Sequence, residues 1–352
     1  MSNKIPVAVL AATGSVGQRM ISLLDGHPWF EVVEVTASER SEGKTYEESC
    51  HWFLAKPMPE YVKKMKLLPT SADALSKAKI VFSALPADIA KVVEPDFAKK
   101  GMIVSSNASA YRKDPLVPIL VPEVNPEHLD LLEAQHSQYS WSGGIITNPN
   151  CTTTGLVVPL HAIDMAYGVT KGFFTSMQAL SGAGYPGVPS LDIIDNVIPF
   201  IGGEEEKVEF EPRKIMGSFN GAGVNLHEMA ISAHTNRVAV IDGHTICCTI
   251  ATEQKATPEE VIETLRNFQV PDAVKDLPSC PKHPIIYHTL DNRPQPRLDR
   301  DLENGMSTNV GRLRTDNILD FRYVCVSHNT IRGAAGGSIF NGELIARKYF
   351  GK

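Results

Sequence analysis

Between Val7 and Thr147 the sequence alternates short apolar, β-branched runs with stretches of helical periodicity, and this alternation leaves few architectures open. The runs are Val7–Leu10, Val32–Thr36, Ile80–Ser83, Met102–Ser105, Ile119–Val121 and Ile145–Thr147, while Val16–Leu24 and Ile89–Lys100 carry the apolar stripes of crossover helices. Parallel neighbours need a crossover to return the chain to the same end of the sheet, so the repetition predicts a parallel sheet with helices on its faces. Beyond Cys151 the texture changes. A helical stretch (Thr152–Tyr167), a long strand-like run (Gly172–Leu180) and the Gly/Pro-rich segment Ser181–Gly187 precede Arg237–Ile241 and His244–Thr252, which Asp242-Gly243 would join as a hairpin. Thr257-Pro258-Glu259-Glu260 provides an N-cap, a first-turn proline and a capping-box acid for a helix to Asn267. Met306–Leu313 and Leu319–Ser327 read as strands, and Asn329–Phe350 as a helix loosened at its start by Gly333, Gly336 and Gly337. The expected fold class is an α/β Rossmann-type dinucleotide-binding domain joined to an α+β domain.

At 352 residues the chain exceeds what one core usually holds, and 43% hydrophobic with 21% charged residues excludes disorder. Lys and Arg number 34 against 40 Asp and Glu, a net charge of −6 that argues against nucleic acid as a partner. The six cysteines show no C-x-x-C spacing, which suits a reducing compartment and disfavours thiolate-bound metal. No apolar run approaches the ~18–20 residues that span a bilayer. The apolar start Ile5–Ala12 runs into Thr13-Gly14-Ser15 without the basic n-region of a signal peptide, so the expected location is the cytoplasm.

The turn Ala11-Ala12-Thr13-Gly14-Ser15-Val16-Gly17 stands after a strand and before a helix, where dinucleotide-binding folds place G-x-G-x-x-G. Gly14 would let the backbone approach a pyrophosphate, Gly17 would allow close helix-to-strand packing, and Ala11 departs from the first glycine of the pattern. At the end of the second run, Ala37-Ser38-Glu39-Arg40-Ser41 offers an acid and an arginine side by side. An acid would bind a ribose 2′-hydroxyl. A guanidinium flanked by two hydroxyls is better suited to a 2′-phosphate, which favours NADP over NAD.

Cys151 follows Asn148-Pro149-Asn150 and opens a helical stretch, a position that lowers a thiol pKa and supplies backbone N–H groups for an oxyanion. Cys247, Cys248 and Cys325 sit in apolar strands and read as packed residues. Among eleven histidines His244 stands out, just after Asp242-Gly243 and seven residues past Arg237, as a base beside a carboxylate clamp. Seven residues of straight strand would span roughly 23 Å, so a bend at Asp242-Gly243 is required. Arg112 is a further candidate anion ligand, and Glu204-Glu205-Glu206-Lys207 reads as a helix start with its acids at the positive dipole end.

Together, Ala12–Gln18, Ala37–Ser41, Asn148–Thr152, Gln178–Tyr185, Ile241–His244 and His328–Gly336 make the chain resemble the aspartate-semialdehyde dehydrogenase family, in its archaeal and fungal branch, from Val7 to Tyr349. The resemblance implies NADP-dependent reductive dephosphorylation of L-4-aspartyl phosphate to L-aspartate 4-semialdehyde on the route to lysine, methionine, threonine and isoleucine. It implies Cys151 as nucleophile, His244 as acid/base group and Gln178 as the residue orienting the acyl intermediate. Arg237 and Glu204 would hold the substrate's carboxylate and amino group, and Arg112, Asn150 and Lys207 the phosphate. Thr13, Gly14, Ser15, Val16, Ser38, Arg40 and Ser41 would hold NADP, with Ser83, Ala84 and Leu85 along the sheet edge and Ser181, Gly182 and Asn329 near the nicotinamide. It further implies a dinucleotide-binding domain from residues 1–150 and 330–352, a catalytic and dimerisation domain from 151–329, and a homodimer or homotetramer. Two rivals differ in chemistry: a malonyl-CoA reductase with the same cysteine chemistry, and a catalytically silent NADP-binding sensor.

Overall fold

The computed structural model describes residues 4–352. Its first sheet takes β1 (Ile5–Leu10), β2 (Phe30–Thr36), β3 (Leu67–Leu68), β4 (Ile80–Ser83), β5 (Ile103–Ser106) and β6 (Gly144–Thr147) in the order β3-β2-β1-β4-β5-β6, every pair parallel. Helices α1 (Ser15–Leu24) and α2 (Ala87–Lys99) make crossovers, and the order reverses direction between β1 and β4. A crevice at the C-terminal ends of these strands follows, because the loops leaving β1 and β4 diverge there.

Five of the six expected runs are strands of this sheet. Ile119–Val121 is the exception: it is fully buried, but it makes only a single bridge, from Ile119 to Thr147. The two-residue β3 carries too little pattern to be seen in sequence. Ala11 resolves its own departure from the glycine pattern, since it takes φ +52°, the left-handed conformation a glycine would otherwise supply. A Cβ on Gly17 would come within 2.3 Å of the Ala11 carbonyl oxygen, so the helix can seat against β1 only with glycine there.

The second half holds α3 (Cys151–Tyr167), β7 (Val169–Gln178), α4 (Glu204–Ile215), β8 (Ala230–Arg237), β9 (His244–Thr252), α5 (Pro258–Arg266), β10 (Ile285–His288), β11 (Thr308–Thr315) and β12 (Phe321–Ser327). Its mixed sheet runs β8-β7-β9-β12-β11-β10. The hairpin expected at Asp242-Gly243 is corrected by this order. β8 ends at Arg237, where a strand was expected to begin, and β7 lies between β8 and β9, parallel to the first and antiparallel to the second. Residues 238–243 instead arch over the end of β7, with hydrogen bonds from Val238 N–H to the Gln178 carbonyl and from Leu180 N–H to that of Val240. The capping box at Thr257 forms as the sequence predicts.

After β12 the chain makes a π-helical turn, Ile331–Ala335, and ends in α6 (Gly336–Phe350). Ile339, Phe340, Leu344 and Ile345 of α6 pack in the core of the first sheet. Among the described residues no helix is long and apolar enough to cross a membrane.

One buried group gives the first half an unusual pH response. Glu94 of α2 is fully buried, accepts the Ser106 hydroxyl at 2.6 Å, and has its second oxygen without a partner. Burial pushes its carboxyl up to about 7 despite the hydrogen bond from Ser106 and the nearby Ser83 hydroxyl. The folded state therefore binds more protons than the unfolded one between the ordinary glutamate range and pH 7, and stability falls as pH rises through that window, by about 3 kcal/mol. Glu94→Gln is expected to flatten that slope, so that its melting temperature changes less than the parent's between pH 5 and 8. Parallel thermal melts across that range check it; identical slopes would mean that Glu94 titrates normally.

Candidate active site

Asn150 caps α3, its Oδ1 accepting the Thr152 and Thr153 N–H groups at 2.9 and 3.4 Å, and this places Cys151 at the first helical position. The Cys151 Sγ lies 3.2 Å from His244 Nε2. Sequence distance is closed by the sheet: Arg237 pairs with Gln178 across β8 and β7, while Thr245 pairs with Met177 across β9 and β7, so Arg237 and His244 flank the last residue of β7 from opposite sides. The bend thus exists, with a strand inserted inside it.

The backbone of one residue aligns the two. Ala179 N–H donates to His244 Nδ1 at 3.1 Å, and the Ala179 carbonyl accepts from Arg237 Nη1 at 2.7 Å. Because Nδ1 accepts, the neutral ring carries its proton on Nε2, facing sulfur. A Cβ on Gly182 would stand 2.8 Å from Arg237 Nη1 and 3.2 Å from His244 Cε1, so glycine at 182 makes room for both. Asn329 ties the same loop down, donating to Ser181 Oγ at 2.8 Å and accepting from Gly243 N–H at 2.8 Å.

Protonation departs from the sequence expectation. Burial pushes the Cys151 thiol up to about 12, with Glu204 adding to the effect and Arg112, Arg237 and Lys207 opposing it. Burial, Arg237 and His328 hold His244 down at about 3. The resting pair is therefore a neutral thiol beside a neutral imidazole. The thiolate expected from the helix N-terminus is outweighed by loss of water around the sulfur.

Three cations and one acid border the sulfur in a cavity of about 390 Å³, namely Arg112, Lys207, Arg237 and Glu204. Glu204 is the hub: Lys207 Nζ donates to one oxygen at 2.7 Å, Asn150 Nδ2 to the other at 2.7 Å, and Gln178 Nε2 to that same oxygen at 3.2 Å. Although burial works against its charge, Lys207, Asn150 and Gln178 together hold its carboxyl below the usual range. The cavity beside Cys151 shares Ser15, Val16 and Gly184 with an adjoining one of about 320 Å³ lined by Thr13, Gly14 and Ala84. Gly14 caps α1 with no side-chain hydrogen bond, which leaves the first-turn N–H groups free for an anion. Ser38, Arg40 and Ser41 stand on an outward turn just beyond β2, with Arg40 exposed. Leu85 reaches the cavity beside Cys151, whereas Ser83 is fully buried and turned toward Glu94.

Several residues here escaped the sequence reading. Gly333 of the π-helical turn packs on Cys151, since a Cβ there would meet Cys151 Cβ at 2.8 Å. Ala179 contributes only backbone and leaves no trace in sequence. Glu211 and Lys214 continue the face of α4 that begins with Glu204 and Lys207, and that helical spacing of buried charges was a usable signal.

A glycine-turn crevice that adjoins a half-buried cysteine and a buried histidine fits one class, a dinucleotide-dependent oxidoreductase. Family models agree in both halves, residues 6–132 matching the semialdehyde dehydrogenase NAD binding domain and residues 159–332 the semialdehyde dehydrogenase dimerisation domain. The sequence is 49% identical over 342 residues to aspartate-semialdehyde dehydrogenase of Archaeoglobus fulgidus, covering 97% of this chain and 98% of the relative. It is 45% identical over 349 residues to that of Schizosaccharomyces pombe, covering 97% and 98%. A crystal structure of the Candida albicans enzyme with NADP superposes with a TM-score of 0.90 at 40% identity, covering 97% of this chain and 98% of that one. The chain belongs to the aspartate-semialdehyde dehydrogenase family.

Proposed function

We propose that this protein catalyses the NADP-dependent reductive dephosphorylation of L-4-aspartyl phosphate to L-aspartate 4-semialdehyde and phosphate through a thioester on Cys151, as a step toward lysine, methionine, threonine and isoleucine. The observation that carries the reading is Cys151 Sγ at 3.2 Å from His244 Nε2, in a cavity bordered by Arg112, Lys207 and Arg237 that adjoins the glycine-turn crevice. Arg237 would take the substrate's carboxylate and Glu204 its amino group, while Arg112, Asn150 and Lys207 would receive the phosphoryl oxygens. Gln178 would orient the acyl group. Glu204 is engaged by Lys207 and Asn150 before any substrate arrives, so substrate binding exchanges those hydrogen bonds rather than creating a charge in isolation.

Sulfur attack on the acyl phosphate forms the C–S bond and breaks the C–O bond to phosphate, and the thiol proton leaves on the departing group as hydrogen phosphate. His244, with its proton on Nε2, donates to the sulfur as negative charge develops there. NADP, when bound in reduced form, supplies the hydride that the thioester carbonyl accepts. The anionic thiohemiacetal then collapses, breaking the C–S bond to release the aldehyde and leaving a Cys151 thiolate that the His244 Nε2–H holds by hydrogen bond until a proton from solvent restores the thiol. Thr13 to Val16 would hold the pyrophosphate, and the hydroxyls of Ser38 and Ser41 with Arg40 the 2′-phosphate. Ser181, Gly182 and Asn329 line the cavity that the nicotinamide would enter, and Ala84 and Leu85 would meet the nucleotide from the sheet edge, with Ser83 buried behind them. Arg40→Ala is expected to weaken NADP binding at least tenfold more than NAD binding, because it removes the charge that distinguishes them; fluorescence titration with both nucleotides measures it, and equal losses would remove Arg40 from that role.

We read the domain division as residues 1–150 with 330–352 against 151–329, the assembly as a homodimer or homotetramer, and the location as the cytoplasm. The decisive assay follows NADPH formation from aspartate semialdehyde, NADP and inorganic phosphate, then omits phosphate, then replaces it with coenzyme A. Strict phosphate dependence is expected. Turnover only with coenzyme A would point to an acyl-CoA reductase, and none with either to a nucleotide sensor.

A further inference from the structure

Glu211 lies two helical turns beyond Glu204 on the same face of α4 and is 1% exposed. It gives one oxygen to each side of the site: Oε1 accepts from Arg112 Nη1 at 2.9 Å, and Oε2 accepts from the backbone N–H of Asn150 at 2.6 Å. Arg112 is also held through Nη2 by the Asn107 carbonyl at 2.9 Å. Lys214, one turn further along, donates to the carbonyls of Arg112, Asp114 and Val117 at 2.8, 2.6 and 2.7 Å, so the loop carrying Arg112 is anchored to α4 at both side chain and backbone.

We propose that Glu211 is the positioning residue of the phosphate site: it fixes the Arg112 fork relative to the Asn150–Cys151 turn, so that the arginine and the attacking sulfur stay in register. This rests on the reading of Arg112 and Asn150 as phosphate ligands. Charge balance alone argues the other way. A carboxylate beside an anion site subtracts from its attraction for a dianion, and a fold that only needed to bind phosphate would do better without it. What Glu211 provides instead is geometry, because a two-oxygen bridge between a guanidinium and a backbone amide sets both distance and angle. Two buried groups linked in this way move together or not at all.

The opposed signs make a clean test. Glu211→Gln removes the charge and can satisfy only one of the two donors, and Glu211→Asp keeps the charge but shortens the reach. If Glu211 positions, both substitutions raise the KM for inorganic phosphate in the oxidative direction, about tenfold or more, with the KM for NADP changed less than twofold and the melting temperature within a few degrees. The double substitution with Arg112→Ala should then be no worse for phosphate than Arg112→Ala alone. A role in charge balance predicts a phosphate KM that falls in Glu211→Gln and stays at the parent value in Glu211→Asp, and either result overturns the proposal. If Arg112→Ala itself leaves the phosphate KM unchanged, Glu211 has nothing to position, and the failure belongs to the assignment of Arg112 as a phosphate ligand.

Discussion

Replacing Cys151 with serine is expected to abolish turnover by at least roughly four decades while leaving the fold and NADP binding intact. Serine is isosteric enough to keep the first position of α3, which Asn150 caps from outside the substituted side chain. The chemistry is what fails. An alkoxide is far harder to form than a thiolate in a site where burial already pushes a thiol up to about 12, and an oxygen ester accepts hydride less readily than a thioester. Single-turnover assays with a nucleotide-binding titration on the same preparation separate the two effects. Residual turnover within a hundredfold of the parent would remove Cys151 from its role, and loss of nucleotide binding would show that the substitution had damaged the crevice.

His244→Asn is the second large effect, a loss of roughly 10²–10⁴ in kcat, the usual worth of a positioned proton-bearing group. Its pH dependence carries more information than its size. With the imidazole held down at about 3 and the thiol raised to about 12, the free protein has almost no thiolate at neutrality, and both groups stay neutral across the working range. Alkylation of Cys151 should accordingly be slow at pH 7 and rise close to tenfold per pH unit to pH 9. A pre-formed thiolate–imidazolium pair would instead give a flat profile. His244→Asn should keep that slope, since the ring's titration lies below the window. A flat profile in the parent that becomes steep in the variant would mean that an ion pair exists after all.

Much of this was legible in the sequence because it depends on local pattern. The parallel sheet follows from alternation, the glycine turn from its place between a strand and a helix, and the position of Cys151 from the junction of a strand with a helix start. What was illegible depends on non-local pairing. The bend joining Arg237 to His244 was required by their separation, but its form was not, because nothing in Val238–Gly243 indicates that β7 slots between the two strands flanking it. The thiol's protonation was misjudged for a related reason. A helix N-terminus is visible in sequence, whereas the depth of the pocket around it is set by segments as distant as Gly182 and Gly333. Ile119–Val121 looked like a strand on composition alone, yet makes one bridge and serves as buried packing beneath α3.

The π-helical turn that seats Cys151 comes near the end of the chain, directly before α6 returns to the first sheet. During synthesis the nucleotide crevice and the cysteine helix emerge long before the segment that covers them. Domains tend to form as they leave the ribosome, amino-terminal part first, so the nascent protein passes through a stage that has its cysteine but not the turn that seats it. A chain cut between Cys151 and Ile331 keeps its cysteine but lacks the turn that seats it.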